Sequence, residues 1–296
     1  MIKKINQLKK KKNAVILVHN YQYPEIYDVA DYIGDSLELA RAAAKTNAKI
    51  IVFCGVDFMA ESAKILNPEK KVLLPALTAR CPMAAMVDIK ELKKMQLKYP
   101  KAKTVCYVNT TAETKANCDV CCTSANAVKV VASVKNKQII FAPDKNLALY
   151  VQSQLPKKKI IPWNGFCYVH SKILKEQIKQ AKDKHPQAVV IAHPECPSDI
   201  INYADYIAST SQMISISKKS KAKEFIIATE GGMINRLQRE VKNKKFFAVG
   251  GFCIQMKKNS LSKIHDVLIN ETNEIVVPEK IRKLAKKSLD KMLKIK

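Results

Sequence analysis

Short apolar runs that end in polar residues alternate along this chain with longer stretches of helical rhythm. AVILVHNYQ from Ala14, TVCYVNTT from Thr104 and AVVIAHPEC from Ala188 read as strands, with tips at His19, at Tyr107 with Asn109, and at His193 with Glu195. After each tip comes a helical stretch that begins near a hydroxyl: GDSLELARAAAK at Ser36, CTSANAVKVVASV at Ser124, and ASTSQMISISKK at Ser209 and Thr210. Serine and threonine suit helix N-termini because their oxygens accept from the free N–H groups there. A second strand follows in each case, IIVFCG, QIIFAP or FIIATEGG, then a further helix such as NLALYVQSQL or GMINRLQREVK. A third strand-like run leads through a turn to a cysteine, in VLLPALTARC, IIPWNGFC and FFAVGGFC. This alternation predicts an α/β protein with parallel sheets, helices on both faces, and functional groups at the carboxyl ends of the strands.

The three cysteines, Cys81, Cys167 and Cys253, are separated by equal intervals of 86 residues. Equal spacing predicts an internal repeat with one thiol per unit, over 1–86, 87–172 and 173–258. Residues 259–296 form a C-terminal extension. Its last part, PEKIRKLAKKSLDKMLKIK, has proline near a helix start and an apolar rhythm at Ile281, Leu284, Ala285, Leu289 and Met292. A helix over 278–296 with a basic outer face is expected to pack back on the body beside the first repeat.

Composition narrows the class. With 296 residues and 47% hydrophobic content the chain can bury a substantial core, as one large domain or two to three smaller ones. The basic start MIKKINQLKKKK precedes an apolar run, Ala14 to Val18, that stops at His19 and Asn20 without a small-residue cleavage site, so it reads as a buried strand and not as a signal peptide. No run approaches the about 20 apolar residues that cross a bilayer. A soluble, cytoplasmic protein without membrane contact is expected. The formal charge of +26 is almost all lysine, since Arg41, Arg80, Arg236, Arg239 and Arg282 are the only arginines. Phosphate and base readers favour the bidentate guanidinium, and these lysines are spread over helices and both ends. The charge therefore reads as a solvated surface with no specific nucleic-acid partner, whose field favours a small anionic substrate.

Nine cysteines in a chain read as cytoplasmic point to metal, catalysis or burial. One thiolate from each of three units, all at strand ends, gives three soft ligands for a common cavity. On a four-iron cluster they leave one iron open as a Lewis acid. Zinc needs the ligands in one tetrahedron, and spacing alone leaves the two metals open. The C-x-x-C-C run Cys118, Cys121 and Cys122 lacks a second pair and reads as packing, as do Cys54, Cys106 and Cys196 in their apolar surroundings. A lone histidine after a strand is usually a bonded loop residue, but polar tips recurring in three units describe a site. His193 and Glu195, two apart, lie on one side of an extended strand end and can share acid–base work. Ser36, Ser124 and Thr210 near helix starts suit carboxylate or phosphate oxygens.

Together VHNYQ, GDSLELA, RCPMAAM, YVNTTAETK, TSANA, WNGFCYVH, AHPEC, STSQM, ATEGG and GFCIQMKKNSL make nearly the whole chain similar to the quinolinate synthase family. The resemblance implies three similar three-layer αβα domains related by pseudo-threefold symmetry, with the active site at their junction. It implies one oxygen-sensitive 4Fe-4S cluster on Cys81, Cys167 and Cys253, with His170 beside it. It further implies a transferase of NAD biosynthesis that condenses iminoaspartate with dihydroxyacetone phosphate to quinolinate, phosphate and two waters, coupled in function to an enzyme that produces iminoaspartate. By matching motif, His19, Ser36, Tyr107, Val108, Asn109, Ser124, His193, Pro194, Glu195 and Thr210 would bind substrate. Tyr21, His193 and Glu195 would be catalytic, with Tyr21 and Glu195 moving protons. Two other readings compete: another 4Fe-4S dehydratase acting on a small hydroxy acid, and a lysine-rich nucleic-acid binder with a structural cluster or zinc.

Overall fold

The computed structural model describes residues 1–295, and Lys296, the last residue of the expected C-terminal helix, lies outside them. Twelve strands form three four-stranded sheets. The first holds β1 (Ala14–His19), β2 (Tyr32–Gly34), β3 (Ile50–Cys54) and β4 (Lys71–Leu73); the second β5 (Lys103–Tyr107), β6 (Val120–Cys122), β7 (Gln138–Ala142) and β8 (Lys159–Pro162); the third β9 (Val189–Ala192), β10 (Tyr206–Ile207), β11 (Glu224–Ala228) and β12 (Lys245–Ala248). Every pairing is parallel, and the strand order is the same in all three: β2-β1-β3-β4, β6-β5-β7-β8 and β10-β9-β11-β12. The register is also the same, as Leu17↔Tyr32, Val105↔Val120 and Ile191↔Tyr206 show for the edge strands. The protein is thus an α/β fold of three similar αβα units. Each has a switch point between its first and third strands, where a ligand crevice opens at the carboxyl ends.

The sequence reading assigned three strands to each unit, whereas the structure has four. The additional strand is the two- or three-residue edge piece β2, β6 or β10, too short to show a two-residue period. An aspartate pins it. Asp31, Asp119 and Asp205 each accept from a backbone N–H of the first strand, Ile16, Thr104 and Val190, at 2.7, 2.9 and 2.8 Å. Their own N–H groups return to the carbonyls of those same residues. The matching segments ADYIGDS at Ala30 and ADYIAST at Ala204 carry this device in the sequence. A helix over Ile2–Lys11 also precedes β1; Ile2, Ile5 and Leu8 form its apolar stripe, and Ile5 is fully buried.

A lysine plays a repeated part at the other end of each unit. Lys70, Lys158 and Lys244, just before the last strand, donate to carbonyls at the C-terminal ends of the helices Ser36–Lys45, Ala127–Ser133 and Thr210–Lys219: Thr46 O for Lys70, Val134 O and Asn136 O for Lys158, and Ser217 O and Ser220 O for Lys244. These carbonyls have no partner within their helix and carry the negative end of its dipole, so an ammonium satisfies both needs.

The C-terminal helix Glu279–Lys294 packs on the helices Asp57–Leu66 and Ala112–Ala116 and on β6, where Ser288 Oγ donates to Lys115 O at 2.9 Å. Its buried stripe is Ala285, Ser288, Leu289 and Met292. Leu284, one position off that stripe, is 43% exposed. Lys158→Met should remove two bonds to helix-end carbonyls and destabilise the protein by about 1–2 kcal/mol in urea unfolding. An unchanged midpoint would show that the lysine caps do not contribute to stability.

Candidate active site

The carboxyl ends of the three sheets meet around one enclosed cavity of about 70 Å³, and the first strand of each unit contributes its tip. His19 and Tyr21 follow β1, Tyr107 and Asn109 end and follow β5, and His193 and Glu195 follow β9; all six line the cavity. Alternation along extended backbone accounts for what is absent from the wall. Val108 and Pro194 fall between inward-facing neighbours, and Val108 instead borders a small separate void with Phe53 and Leu289.

Ser36, Ser124 and Thr210 also line the cavity, and none of them is the residue that caps its helix. Asp35 caps Ser36–Lys45, accepting from Leu37 and Glu38 N–H at 3.0 Å, and Ser209 caps Thr210–Lys219. Ser124 lies in a turn closed by Asn126 Oδ1, which accepts from Thr123 N–H at 2.7 Å. Asp35 and Ser209 thus cap the helices that Ser36 and Thr210 begin, and Thr210 Oγ1 accepts from Asn20 Nδ2 at 2.9 Å while its side chain lines the cavity. Asn109 Oδ1 is buried without a hydrogen-bond partner, an orphan acceptor on the wall.

His19 and His193 are equivalent and held alike. Each Nδ1 accepts from the backbone N–H two residues on, Tyr21 at 3.2 Å and Glu195 at 3.3 Å, so the neutral ring carries its proton on Nε2. Burial lowers both imidazoles to about 3, assisted at His19 by the Lys257 ammonium. Glu195 sits between the units. Burial by itself would raise its carboxyl, but the His170 ring beside it, together with Tyr107 donating its O–H, holds it well below the usual carboxylate range. His170 Nδ1 approaches Glu195 Oε2 at 2.9 Å and its ring stacks on His193 with centroids 4.6 Å apart. On the far side His170 Nε2 meets Thr229 Oγ1 at 2.8 Å, and Thr229 bonds Tyr21 Oη at 2.7 Å. Burial first, then the Glu195 charge, push the Tyr21 phenol well above its ordinary value. Tyr21, Thr229, His170, Glu195 and Tyr107 therefore form one contact chain through all three units. Thr229, inside the ATEGG segment, is the member that strand-tip reasoning missed.

Cys81, Cys167 and Cys253 line the same cavity and each opens a one-turn 3-10 segment, Met83–Met86, His170–Lys172 or Met256–Lys258. Burial raises the Cys81 thiol to about 12, with Cys253 adding to that shift, and pushes the Cys167 thiol well above its ordinary value, with Glu195 and Cys81 adding to it. Thiols in such a setting ionise when a cation binds them, which is the behaviour of metal ligands. The donor set thus fits a thiolate-held metal group. Cys167 Sγ, a His170 ring nitrogen and a Glu195 carboxylate oxygen lie within 4.8 Å of one another and can also hold a metal ion. By contrast Cys54, Cys106, Cys121, Cys122 and Cys196 are buried in the core, and Cys118 Sγ donates to Thr114 O at 3.0 Å.

The buried neutral histidines make stability depend on pH with a definite sign. Their folded-state pKa lies below the unfolded 6.5, so their contribution is complete above pH 6.5 and is lost as pH falls towards 3. Each should cost about 1.4 kcal/mol per pH unit in that window. Urea unfolding at pH 5 and pH 7 should show a shallower dependence for His193→Gln than for the wild type. Equal slopes would mean that the imidazole is protonated in the folded protein.

The sequence pattern described for the family "Quinolinate synthetase A protein" matches residues 3–294. Quinolinate synthases of Alkaliphilus metalliredigens and Methanosarcina barkeri are each 50% identical to this chain, over 100% of it and 98% of their own length. That of Clostridium kluyveri is 46% identical with the same coverage. A match over the whole fold, cavity and cysteine loops included, means that this chain belongs to the quinolinate synthase family.

Proposed function

We propose that the cavity condenses iminoaspartate with dihydroxyacetone phosphate to give quinolinate, phosphate and two waters, a transferase reaction of NAD biosynthesis. The observation that carries this reading is the wall itself: neutral donors and helix-start hydroxyls for a small polyanion surround one ionised carboxylate, beside three thiols. Cys81, Cys167 and Cys253 would hold a 4Fe-4S cluster. When bound, the cluster supplies a Lewis-acidic iron for loss of water from a hydroxylated substrate.

The residues of the chain divide the remaining work. His19 and His193, each with a proton on Nε2, donate to substrate carboxylate or phosphate oxygens without bringing a charge of their own. Ser36, Ser124 and Thr210 add hydroxyls near helix starts, where free N–H groups and the helix dipole favour anions. Asn109 offers its unpaired oxygen to a substrate N–H or O–H. Environments that push pKa values apart assign acid and base. Glu195, held ionised, takes protons, and Tyr21, held protonated, gives them, while Thr229 and His170 connect the two. Val108 and Pro194 reach substrate only through their backbone. Iminoaspartate hydrolyses in water, which favours supply by an imine-producing enzyme working alongside and fits an enclosed cavity.

Anaerobically prepared protein given both substrates should release quinolinate and phosphate in equal amounts. A protein that is active without dihydroxyacetone phosphate on another hydroxy acid would overturn the assignment. Glu195→Gln should retain the metal group and lose about 10²–10⁴-fold in turnover; loss of the metal instead would make Glu195 a ligand or a structural residue. Serine at any one of Cys81, Cys167 or Cys253 should abolish both the visible colour of the metal group and activity, whereas Cys121→Ser and Cys122→Ser keep both. Colour and activity retained in all three single variants would remove these cysteines from the site.

A further inference from the structure

The backbone of each cavity cysteine is tied to a carboxyl group that the cysteine spacing does not announce, buried in the cases of Asp144 and Glu230 and half-buried in that of Asp57. Cys81 N–H donates to Asp57 Oδ1 at 3.1 Å, Cys167 N–H to Asp144 Oδ2 at 3.1 Å and Cys253 N–H to Glu230 Oε1 at 3.0 Å. The three acids occupy equivalent places, just after the third strands β3, β7 and β11. A second bond beside each closes a clamp in the opposite sense. Asp57 N–H donates to Ala79 O at 2.9 Å, Lys145 N–H to Gly165 O at 2.9 Å and Gly231 N–H to Gly251 O at 3.0 Å. Every accepting carbonyl belongs to the residue two before a cysteine. The loops approach the strand ends so closely that a Cβ on Gly165 would stand 2.5 Å from Pro143 O, and one on Gly250 would stand 2.0 Å from Thr229 O.

Three repeats of one bond could be fold geometry alone, but the way the carboxyl oxygens are shared out argues otherwise. Asp144 is completely buried and has no cation within ion-pair distance among the described residues. It caps the helix Lys145–Gln154 with Oδ1, which accepts from Leu147 N–H at 2.7 Å. Serine, with a single oxygen, does that work. The second oxygen, on Cys167 N–H, is what the carboxylate adds. Glu230 likewise uses Oε2 on Gly232 N–H at 2.8 Å and Oε1 on Cys253 N–H, and it is balanced by Lys257 at 3.1 Å. Asp57 differs, because its Oδ1 alone accepts from both Phe58 and Cys81.

We propose that Asp57, Asp144 and Glu230 are positioning residues that fix the three cysteine loops so that the thiols are presented together to the metal group. This rests on the cysteine assignment made above and extends it to the groups behind the ligands. Outer-shell partners of this kind typically contribute about 10–100-fold to metal retention.

The test uses the full chain in two forms. In the anaerobically loaded protein, iron release to a ferrous chelator should be about 10–100-fold faster for Asp144→Ser, which keeps the helix cap and removes the brace. Asp57→Asn should stay within about twofold of the wild type, because one oxygen suffices there, while Asp57→Ala should release iron about tenfold faster. In the metal-free protein, alkylation followed by mass spectrometry should show Cys167 reacting roughly tenfold faster in Asp144→Ser, the worth of one buried hydrogen bond, with Cys81 and Cys253 unchanged. Unaltered Cys167 alkylation in Asp144→Ser, or equal acceleration at all three thiols, would overturn the proposal. The alkylation readout needs no metal, so a wild type that binds no iron would defeat the cluster reading alone and leave this one to be decided.

Discussion

Glu195 is a carboxylate with almost no solvent contact, and the fold around the cavity is arranged to keep it ionised. An isolated charge in such a place costs several kcal/mol, and this one is held by the Tyr107 hydroxyl and the His170 ring of the second unit. No single sheet can satisfy it. Parallel strands present their polar tips at one end, and three units that turn those ends towards each other can bury the tips only by using them as mutual partners. The same convergence carries the thiols inward and sets a high-pKa phenol and a low-pKa carboxylate on one wall.

Much of this was legible in the sequence because it repeats. The 86-residue interval selected Cys81, Cys167 and Cys253 from nine cysteines, and polar residues recurring at the three strand tips picked out His19, Tyr107, Asn109, His193 and Glu195. The alternating strands and helices gave the α/β class. What escaped has physical reasons. The edge strands are two or three residues long, so no period could show them, and their aspartates, inside ADYIG and ADYIA, looked like ordinary turn residues. Ser36 and Thr210 lie near helix starts as read, but which residue caps each helix was not legible, since a serine or threonine at the first helical position is indistinguishable by type from one at the cap; Asp35 and Ser209 hold that place. Asp57, Asp144 and Glu230 recur at intervals of 87 and 86 residues, one residue off the strict repeat of the cysteines. Their change from aspartate to glutamate, in surroundings that differ among GVD, APD and TEG, concealed it.

The lysine excess also takes on a partial internal explanation. Lys70, Lys158 and Lys244 bind helix-end carbonyls, and Lys257 donates to Tyr21 O while neutralising Glu230. These ammonium groups serve the fold and the site.

The central claim is that three thiols, one from each unit, hold a single iron–sulfur group where the sheets meet. Iron and acid-labile sulfide counted per chain in anaerobically prepared protein, with electron paramagnetic resonance of the reduced sample, test it most directly. The account predicts about four of each and the signal of one reduced cubane cluster. Stoichiometric zinc, or a full complement of activity in protein with neither iron nor sulfide, would contradict it.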